Sequence, residues 1–241
     1  MDTGRDPVVG GGSGPARIEA AALLIDMDGL LLDTERLAQR CWEQVQDATG
    51  HRMPEGFYFS LIGLSLRAIK ERLHAVMPEE CDVPGLIAEA AAAYDRALEE
   101  ETIPVKAGAK ALLAHLEKEG VPRCLATSTF GELAERKLRA AGLASYLPYR
   151  VCGDDVHESK PAPEIYERAA AILHRQPSEC IALEDSENGL RAAMAAGCKV
   201  LHVPDLAPVS GAVRRRVLAE FPDLGSVLAA MREGMLCVGG A

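Results

Sequence analysis

The stretch LLIDMDG, residues 23–29, decides the fold. Its apolar half has the length of a β-strand and leads directly into Asp26 and Asp28, with Gly29 following at once. A continuous apolar run is typical of a parallel strand buried on both faces. Open α/β sheets bind their ligands at the carboxyl ends of such strands. Because two like charges so close together are costly to bury without a cation, the stretch predicts a charged ligand site at the end of the first strand.

Strand and helix patterns alternate in the later part of the chain. Apolar segments of strand length recur between segments of helical periodicity, at 122–126, 149–152, 180–183 and 199–203. This alternation predicts a doubly wound parallel sheet with right-handed crossovers. We expect the core to begin with one continuous strand over 17–25 and to end with two helices over 213–220 and 224–231. We also expect Thr34 to cap the helix that follows the first strand.

The segment between the first strand and residue 104 is predicted to be helical. Its apolar residues recur at helical spacing, and about 65 residues are too many for a loop in a compact fold. The fold class is therefore predicted as α/β, a Rossmann-like parallel sheet with an inserted α-helical cap domain. The predicted organisation is a disordered tail over 1–16, a catalytic core over 17–35 and 104–241, and a cap over 36–103.

Composition excludes several classes of function. A net charge of −10 and an aromatic content of 4% argue against a nucleic-acid partner, which requires a basic surface or stacking platforms. No apolar run approaches the roughly 20 residues of a membrane span, so no membrane partner is expected. The seven cysteines are scattered without a CxxC pair, which is typical of reduced thiols in a cytoplasmic protein.

Polar residues follow four of the predicted strands, and the parallel sheet brings these strand ends to one edge. They are Asp26 and Asp28; Thr127, Ser128 and Thr129; Lys160; and Glu184, Asp185, Ser186 and Asn188. Oxygen ligands without His or Cys suit Mg²⁺, while hydroxyls and a lysine suit phosphoryl oxygens. One carboxylate can form an aspartyl-phosphate while a second moves protons. Two alternatives stay open: Ser128 and Thr129 could cap the next helix, and Asn188 could serve only to turn the chain.

Four motifs in this order resemble those of the haloacid dehalogenase (HAD) superfamily of phosphatases, in the branch with a helical cap. The motifs are DMDG at 26–29 with DTE at 33–35, Thr127, KPAP at 160–163 and EDSENG at 184–189. The resemblance implies that Asp26 is the nucleophile and Asp28 the general acid/base, and that Thr127 and Lys160 hold the phosphoryl group. It also implies a Mg²⁺ ion held by Asp26, the main-chain carbonyl of Asp28 and Asp185, with Glu184 binding directly or through water.

The motifs also distinguish between activities within that superfamily. Dehalogenases and phosphonate hydrolases lack the second aspartate, which is present here as Asp28. A sugar-phosphate mutase similar to β-phosphoglucomutase is the closer alternative. In such mutases a histidine and an arginine stand where this chain has Ala38 and Leu66, so hydrolysis is favoured. A non-catalytic binding module is the remaining alternative, and it would have to explain an intact set of catalytic residues.

The expected function is therefore a Mg²⁺-dependent phosphatase for a small phosphorylated metabolite of the sugar or polyol class. We expect it to act as a monomer or weak dimer. Substrate contacts are predicted for residues of the core and the cap, namely Gly29, Glu35, Ser128, Asn188, Arg67 and Lys70, with Arg36 as a further candidate.

Overall fold

The computed structural model describes residues 17–62, 64, 66–100 and 103–239. The predicted tail over 1–16 lies outside the described residues. The strands of the described structure are β1 (Ile18–Ala20), β2 (Ala22–Ile25), β3 (Arg123–Ala126), β4 (Arg150–Val151), β5 (Cys180–Glu184), β6 (Lys199–His202), β7 (Ala219–Glu220) and β8 (Leu236–Val238). Its α-helices are α1 (Thr34–Thr49), α2 (Leu66–Val76), α3 (Val83–Glu100), α4 (Ala109–Lys118), α5 (Gly131–Ala140), α6 (Glu164–Ile172), α7 (Glu187–Ala196), α8 (Gly211–Arg214) and α9 (Leu224–Arg232).

A six-stranded parallel sheet forms the centre of the fold, in the order β4-β3-β2-β5-β6-β7. Strand β2 lies inside the sheet between β3 and β5, and all four of its residues are fully buried. Helices cover both faces, because alternate residues of β2 belong to two separate apolar clusters. The predicted doubly wound parallel sheet is confirmed, and its order places the ends of β3, β2 and β5 side by side.

The first predicted strand, over 17–25, is divided into two. Arg17 and Glu19 are exposed, and such residues cannot continue a strand that is buried on both faces. The chain bends at Ala21, and β1 pairs instead with β8 in a separate two-stranded parallel sheet. Strand β8 was absent from the sequence prediction.

The predicted helix over 213–220 is also wrong. Helix α8 ends at Arg214, and β7 then extends the sheet beside β6. Leu218 donates its N–H to the carbonyl of Val200, and Phe221 donates to the carbonyl of His202. The open edge of β6 therefore offers backbone hydrogen bonds that override the helical apolar spacing.

Helices α1, α2 and α3 form the insertion between β2 and β3, as the fold prediction requires. Its two connections to the core run side by side: Leu32 and Val105 form an antiparallel bridge, and Asp33 donates its N–H to the carbonyl of Pro104 over 2.8 Å. The two connections of the insertion are therefore joined by a short antiparallel pairing directly beyond β2. None of the described helices combines the length and apolar character that crossing a bilayer requires.

Candidate active site

Asp26 lies at the carboxyl end of β2 and forms an ion pair with Lys160. The Nζ atom of Lys160 donates to Oδ1 of Asp26 over 2.6 Å, and the Asp26 residue is only 7% exposed. Burial raises the pKa of Asp26 to about 8, although Lys160 acts in the opposite direction. A carboxylate at this position therefore depends on nearby positive charge to stay ionised and nucleophilic.

Glu184 holds Lys160 from the opposite side. Its Oε1 accepts hydrogen bonds from Lys160 and from the Tyr166 hydroxyl, both over 2.6 Å. Its Oε2 accepts from the backbone of Asp185 and from the backbone and hydroxyl of Ser186. A Cβ on Gly189 would lie 1.8 Å from Oε1, so glycine is required where α7 passes this carboxylate. Glu184 is thus placed to fix the lysine, and its predicted contact with a metal stays a prediction.

Asp28 accepts three hydrogen bonds, from Thr34 Oγ1, Thr129 Oγ1 and Lys137 Nζ, each with a donor–acceptor distance of 2.7 Å. Burial alone would raise the pKa of Asp28, but the charge of Lys137 and the three donors outweigh it and hold the pKa below its usual range. The predicted capping role of Thr34 is wrong. The N-cap of α1 is Asp33, and the hydroxyl of Thr34 faces Asp28 instead.

Lys137 is the main site residue that the sequence prediction missed. It lies on α5, is 5% exposed, and places its ammonium 5.3 Å from the ring centre of Tyr94 in the helical insertion. Nearby negative charge raises the pKa of Lys137 against the effect of burial, so it remains a cation. The available signal was its position: it lies on the same buried face of α5 as Ala134 and Leu138, where an unpaired lysine is rare.

The residues at the ends of β2 and β5 fit a hard divalent cation. Carboxylate oxygens of Asp26, Glu184 and Asp185 lie within 4.8 Å of one another. Oδ1 of the buried Asp185 has no hydrogen-bond partner among the described residues. Burial and the neighbouring acids, Asp26 first, raise the pKa of Asp185 well above its usual value. An oxygen-only set with an unpartnered buried carboxylate suits Mg²⁺ better than zinc or a soft metal.

The carboxylates of Asp26, Asp28 and Asp185 line a cavity of about 860 Å³ between the core and the helical insertion. Its lining includes Asp26, Asp28, Thr127, Ser128, Lys160, Asp185 and Asn188 from the core, Glu35 at the start of α1, and Ile62, Leu64, Leu66 and Ala68 from the insertion. A second cavity of about 400 Å³ adjoins it through Asp28, Glu35, Leu66 and Ser128. It extends toward apolar side chains of the insertion, namely Trp42, Ile69, Ile87 and Tyr94.

Glu35 introduces a titratable group where the insertion meets the core. The Tyr58 hydroxyl contacts its carboxylate over 3.2 Å and its backbone carbonyl over 3.0 Å. Burial, followed by the negative charge of Asp28, raises the pKa of Glu35 to about 7. Glu35 can therefore present either a donor or an acceptor to a ligand near neutral pH.

The remaining substrate candidates divide into two groups. Ser128 and Asn188 line the main cavity, and neither is the N-cap of its helix, since α5 begins after Phe130 and α7 after Ser186. The other candidates do not line either cavity. Arg67 and Lys70 are exposed on α2, Arg36 binds Asp33 and Asp205, and Gly29 lies beneath the site against Asp185.

Comparison with known proteins agrees with this geometry. The family model of haloacid dehalogenase-like hydrolases matches residues 20–197. The chain belongs to the haloacid dehalogenase-like hydrolases. This hydrolase is 36% identical over 211 residues to a probable pseudouridine-5'-phosphatase of Drosophila melanogaster, covering 83% of this chain and 89% of the relative. It is 32% identical over 186 residues to hexitol phosphatase A of Escherichia coli, covering 75% and 81% of the two chains.

A solved structure shows the same fold. The hydrolase superposes on CbbY of Rhodobacter sphaeroides, solved in complex with phosphate, with a TM-score of 0.69 and 26% identity. The superposition covers 86% of this chain and 96% of CbbY. The family, the fold and the predicted resemblance are therefore confirmed for this hydrolase.

Proposed function

We propose that this hydrolase is a Mg²⁺-dependent phosphatase that cleaves a small phosphorylated metabolite of the sugar or polyol class. The observation that carries the proposal is the pairing of Asp26 with Lys160 beside a second carboxylate, Asp28, in one cavity. Thr127 lines the same cavity just beyond β3, the strand that pairs with β2. This set supplies a nucleophile, a proton carrier and phosphoryl-oxygen donors.

The proposed reaction has two displacements at phosphorus. An oxygen of Asp26 attacks phosphorus, the bond to the leaving oxygen breaks, and Asp28 gives that oxygen its proton. Water then attacks the phospho-Asp26, Asp28 takes the proton from the water, and phosphate leaves with the Asp26 carboxylate restored. Over one cycle, the proton that Asp28 gives to the leaving oxygen is balanced by the proton that it takes from water.

Lys160 and Thr127 would bind the oxygens of the phosphoryl group through both steps. Asp26, Asp185 and the carbonyl of Asp28 would hold Mg²⁺, with Glu184 fixing Lys160. When bound, the metal supplies positive charge that neutralises the phosphoryl oxygens and favours the ionised form of Asp26. The ion pair of Asp28 with Lys137 is the ionised state that the second displacement needs.

The lining of the cavity supports a small substrate with an uncharged leaving group. Among the described residues, the insertion contributes apolar side chains to the main cavity beyond Glu35 at the start of α1: Ile62, Leu64, Leu66 and Ala68. A sugar-phosphate mutase must grip a second phosphate, which requires a cation on that side. The names of the curated relatives, a pseudouridine-5'-phosphatase and a hexitol phosphatase, also describe small phosphate monoesters.

The decisive experiment is a phosphatase panel of sugar, polyol, nucleotide and glycolate phosphates, run with Mg²⁺ and after chelation. We expect Mg²⁺-dependent release of phosphate, abolished in Asp26→Asn and retained in Asp47→Asn, which removes an exposed carboxylate of α1 that pairs with Arg52. Isomer formed faster than free phosphate would favour the mutase. No turnover with Mg²⁺, Mn²⁺ or Co²⁺ would instead favour a non-catalytic binding module.

The cellular setting completes the proposal. We propose that the protein acts in the cytoplasm as a monomer or weak dimer, with a core over 17–35 and 104–241 and a cap over 36–103. The state of its cysteines supports the compartment, because all seven are described as thiols outside any disulfide and five of them are buried. Such thiols persist where the surroundings are reducing.

A further inference from the structure

Asp205 is a buried carboxylate that the reaction described above does not use. It follows β6, the neighbour of β5 in the sheet, so it reaches the same edge as Asp185. Its side chain is only 2% exposed. An acid three residues past a strand end is the sequence signal that could have identified it, but residue 205 belongs to none of the four motifs.

The two oxygens of Asp205 have different surroundings. Oδ1 accepts hydrogen bonds from Arg36, over 3.1 Å, and from Lys106. Oδ2 is buried and has no hydrogen-bond partner among the described residues. A buried carboxylate oxygen without a donor is costly, so the unpartnered Oδ2 indicates a donor that the protein itself does not provide.

Oδ2 of Asp205 lies close to Asp185, a residue of the proposed metal site. A Cβ on Gly29 would lie 2.2 Å from Oδ2 of Asp185 and 3.3 Å from Oδ2 of Asp205. The two carboxylates therefore meet over the bare Cα of Gly29, which has a positive φ of 81°. Asp185 also has an unpartnered oxygen, Oδ1. Two buried acids this close together, each with one unpartnered oxygen, fit a hydrated cation beside them, because Mg²⁺ usually keeps several of its waters.

We propose that Asp205 binds a water ligand of the metal ion and so forms the outer part of the cation site. This inference rests on the Mg²⁺ dependence proposed above. Outer carboxylates of this kind orient metal ligands, and their removal typically weakens metal binding about 10–100-fold.

The same residue would connect the metal site to the base of the helical insertion. Arg36 lies in the first turn of α1, and Lys106 lies on the returning connection, where its N–H donates to the carbonyl of Leu31 over 2.9 Å. Oδ1 of Asp205 thus joins both connections, while Oδ2 lies close to Asp185. A change in the position of Asp205 would therefore alter both the metal site and the base of the helical insertion.

The test is a metal titration without substrate, on the full chain. Calorimetry with Mg²⁺ and electron paramagnetic resonance with Mn²⁺ give Kd for the wild type, Asp205→Asn and Asp33→Asn. Asp33 is the matched control, because it binds the same Arg36, over 2.7 Å, and provides no unpartnered oxygen to the site. We expect Asp205→Asn to raise Kd about tenfold and Asp33→Asn to leave it within about twofold.

Thermal unfolding without metal separates this role from a purely structural one. Asp205→Asn removes the charge that pairs with Arg36 and Lys106 but also relieves the repulsion between Asp205 and Asp185, so the metal-free Tm reports the structural role and Kd reports the metal-binding role. A Kd within about threefold of the Asp33→Asn value would overturn the proposal and leave Asp205 as an anchor of Arg36 and Lys106. Asp205→Ser also lacks the carboxylate and decides the question if Asn fails to fold. Because no substrate is present, loss of metal binding here is distinguishable from a failed phosphatase panel.

Discussion

Replacing Lys137 by Met should be among the most informative changes in this protein. The substitution keeps the length of the side chain in the interior but leaves the carboxylate of Asp28 without its cation. Removing one member of a buried ion pair typically costs about 3–5 kcal/mol. The side chain of Asp28 is 20% exposed and keeps its two hydroxyl donors. We therefore expect the low end, a loss of about 3 kcal/mol in the free energy of unfolding at pH 8.

The assay is a double-mutant cycle with Asp28→Asn. Urea unfolding, followed by circular dichroism and by the fluorescence of Trp42, the single tryptophan of the chain, gives the free energy of unfolding for each variant. If Lys137 acts through Asp28, the double variant loses less than the sum of the single losses, with a coupling of about 2 kcal/mol. The exposed Lys110 of α4 supplies the matched control, since Lys110→Met should change stability by less than about 0.5 kcal/mol.

The same cycle can be measured in catalysis. A carboxylate displaced by about 1 Å can lower the rate about 100-fold, so kcat of Lys137→Met should fall by this order while KM changes little. In the Asp28→Asn background, adding Lys137→Met should have almost no further effect on kcat. The reasoning would be refuted if the two substitutions were additive within about 0.5 kcal/mol in both stability and rate.

Two further predictions concern buried hydrogen-bonded acids. In the wild type, the pKa of Glu35 is raised to about 7, so the stability it contributes is present at pH 4.5 and is lost as the pH rises through 7. The Tm of Glu35→Gln should therefore fall less between pH 5 and pH 8 than that of the wild type, and parallel melting profiles would contradict this. Tyr166→Phe removes the hydroxyl that donates to Glu184 over 2.6 Å and should cost about 1.5–3 kcal/mol in urea unfolding. Tyr149→Phe, at an exposed tyrosine, should change stability by less than about 0.5 kcal/mol.

The arrangement of the site could be predicted where the chemistry lies at strand ends. Asp26, Lys160 and Asp185 follow strands of one parallel sheet, and a parallel sheet brings its carboxyl ends to the same edge whatever the details of packing. The strong apolar pattern of β2 was sufficient to locate this edge. A role could be proposed for each strand-end residue because its neighbours in sequence form recognisable motifs.

The supporting residues could not be predicted in the same way. Lys137 and Tyr166 reach the carboxylates from the faces of helices, so their contacts depend on how α5 and α6 pack on the sheet. Asp205 reaches the site from a loop. The short strands β7 and β8 are likewise stabilised by pairing with β6 and β1, and local sequence carries little information about such pairing.

The helical insertion leaves the core and returns to it at adjacent points. Its two ends are marked by Leu32 and Val105, which pair with each other. The entropic free-energy cost of closing a segment between adjacent ends depends little on its length, and rises by only about 0.6 kcal/mol for each doubling. Evolution can therefore exchange or resize this segment at small thermodynamic cost. Substrate preference can then diverge while the ion pair of Asp26 and Lys160 in the core is kept, which makes the insertion the natural target for engineering new specificity.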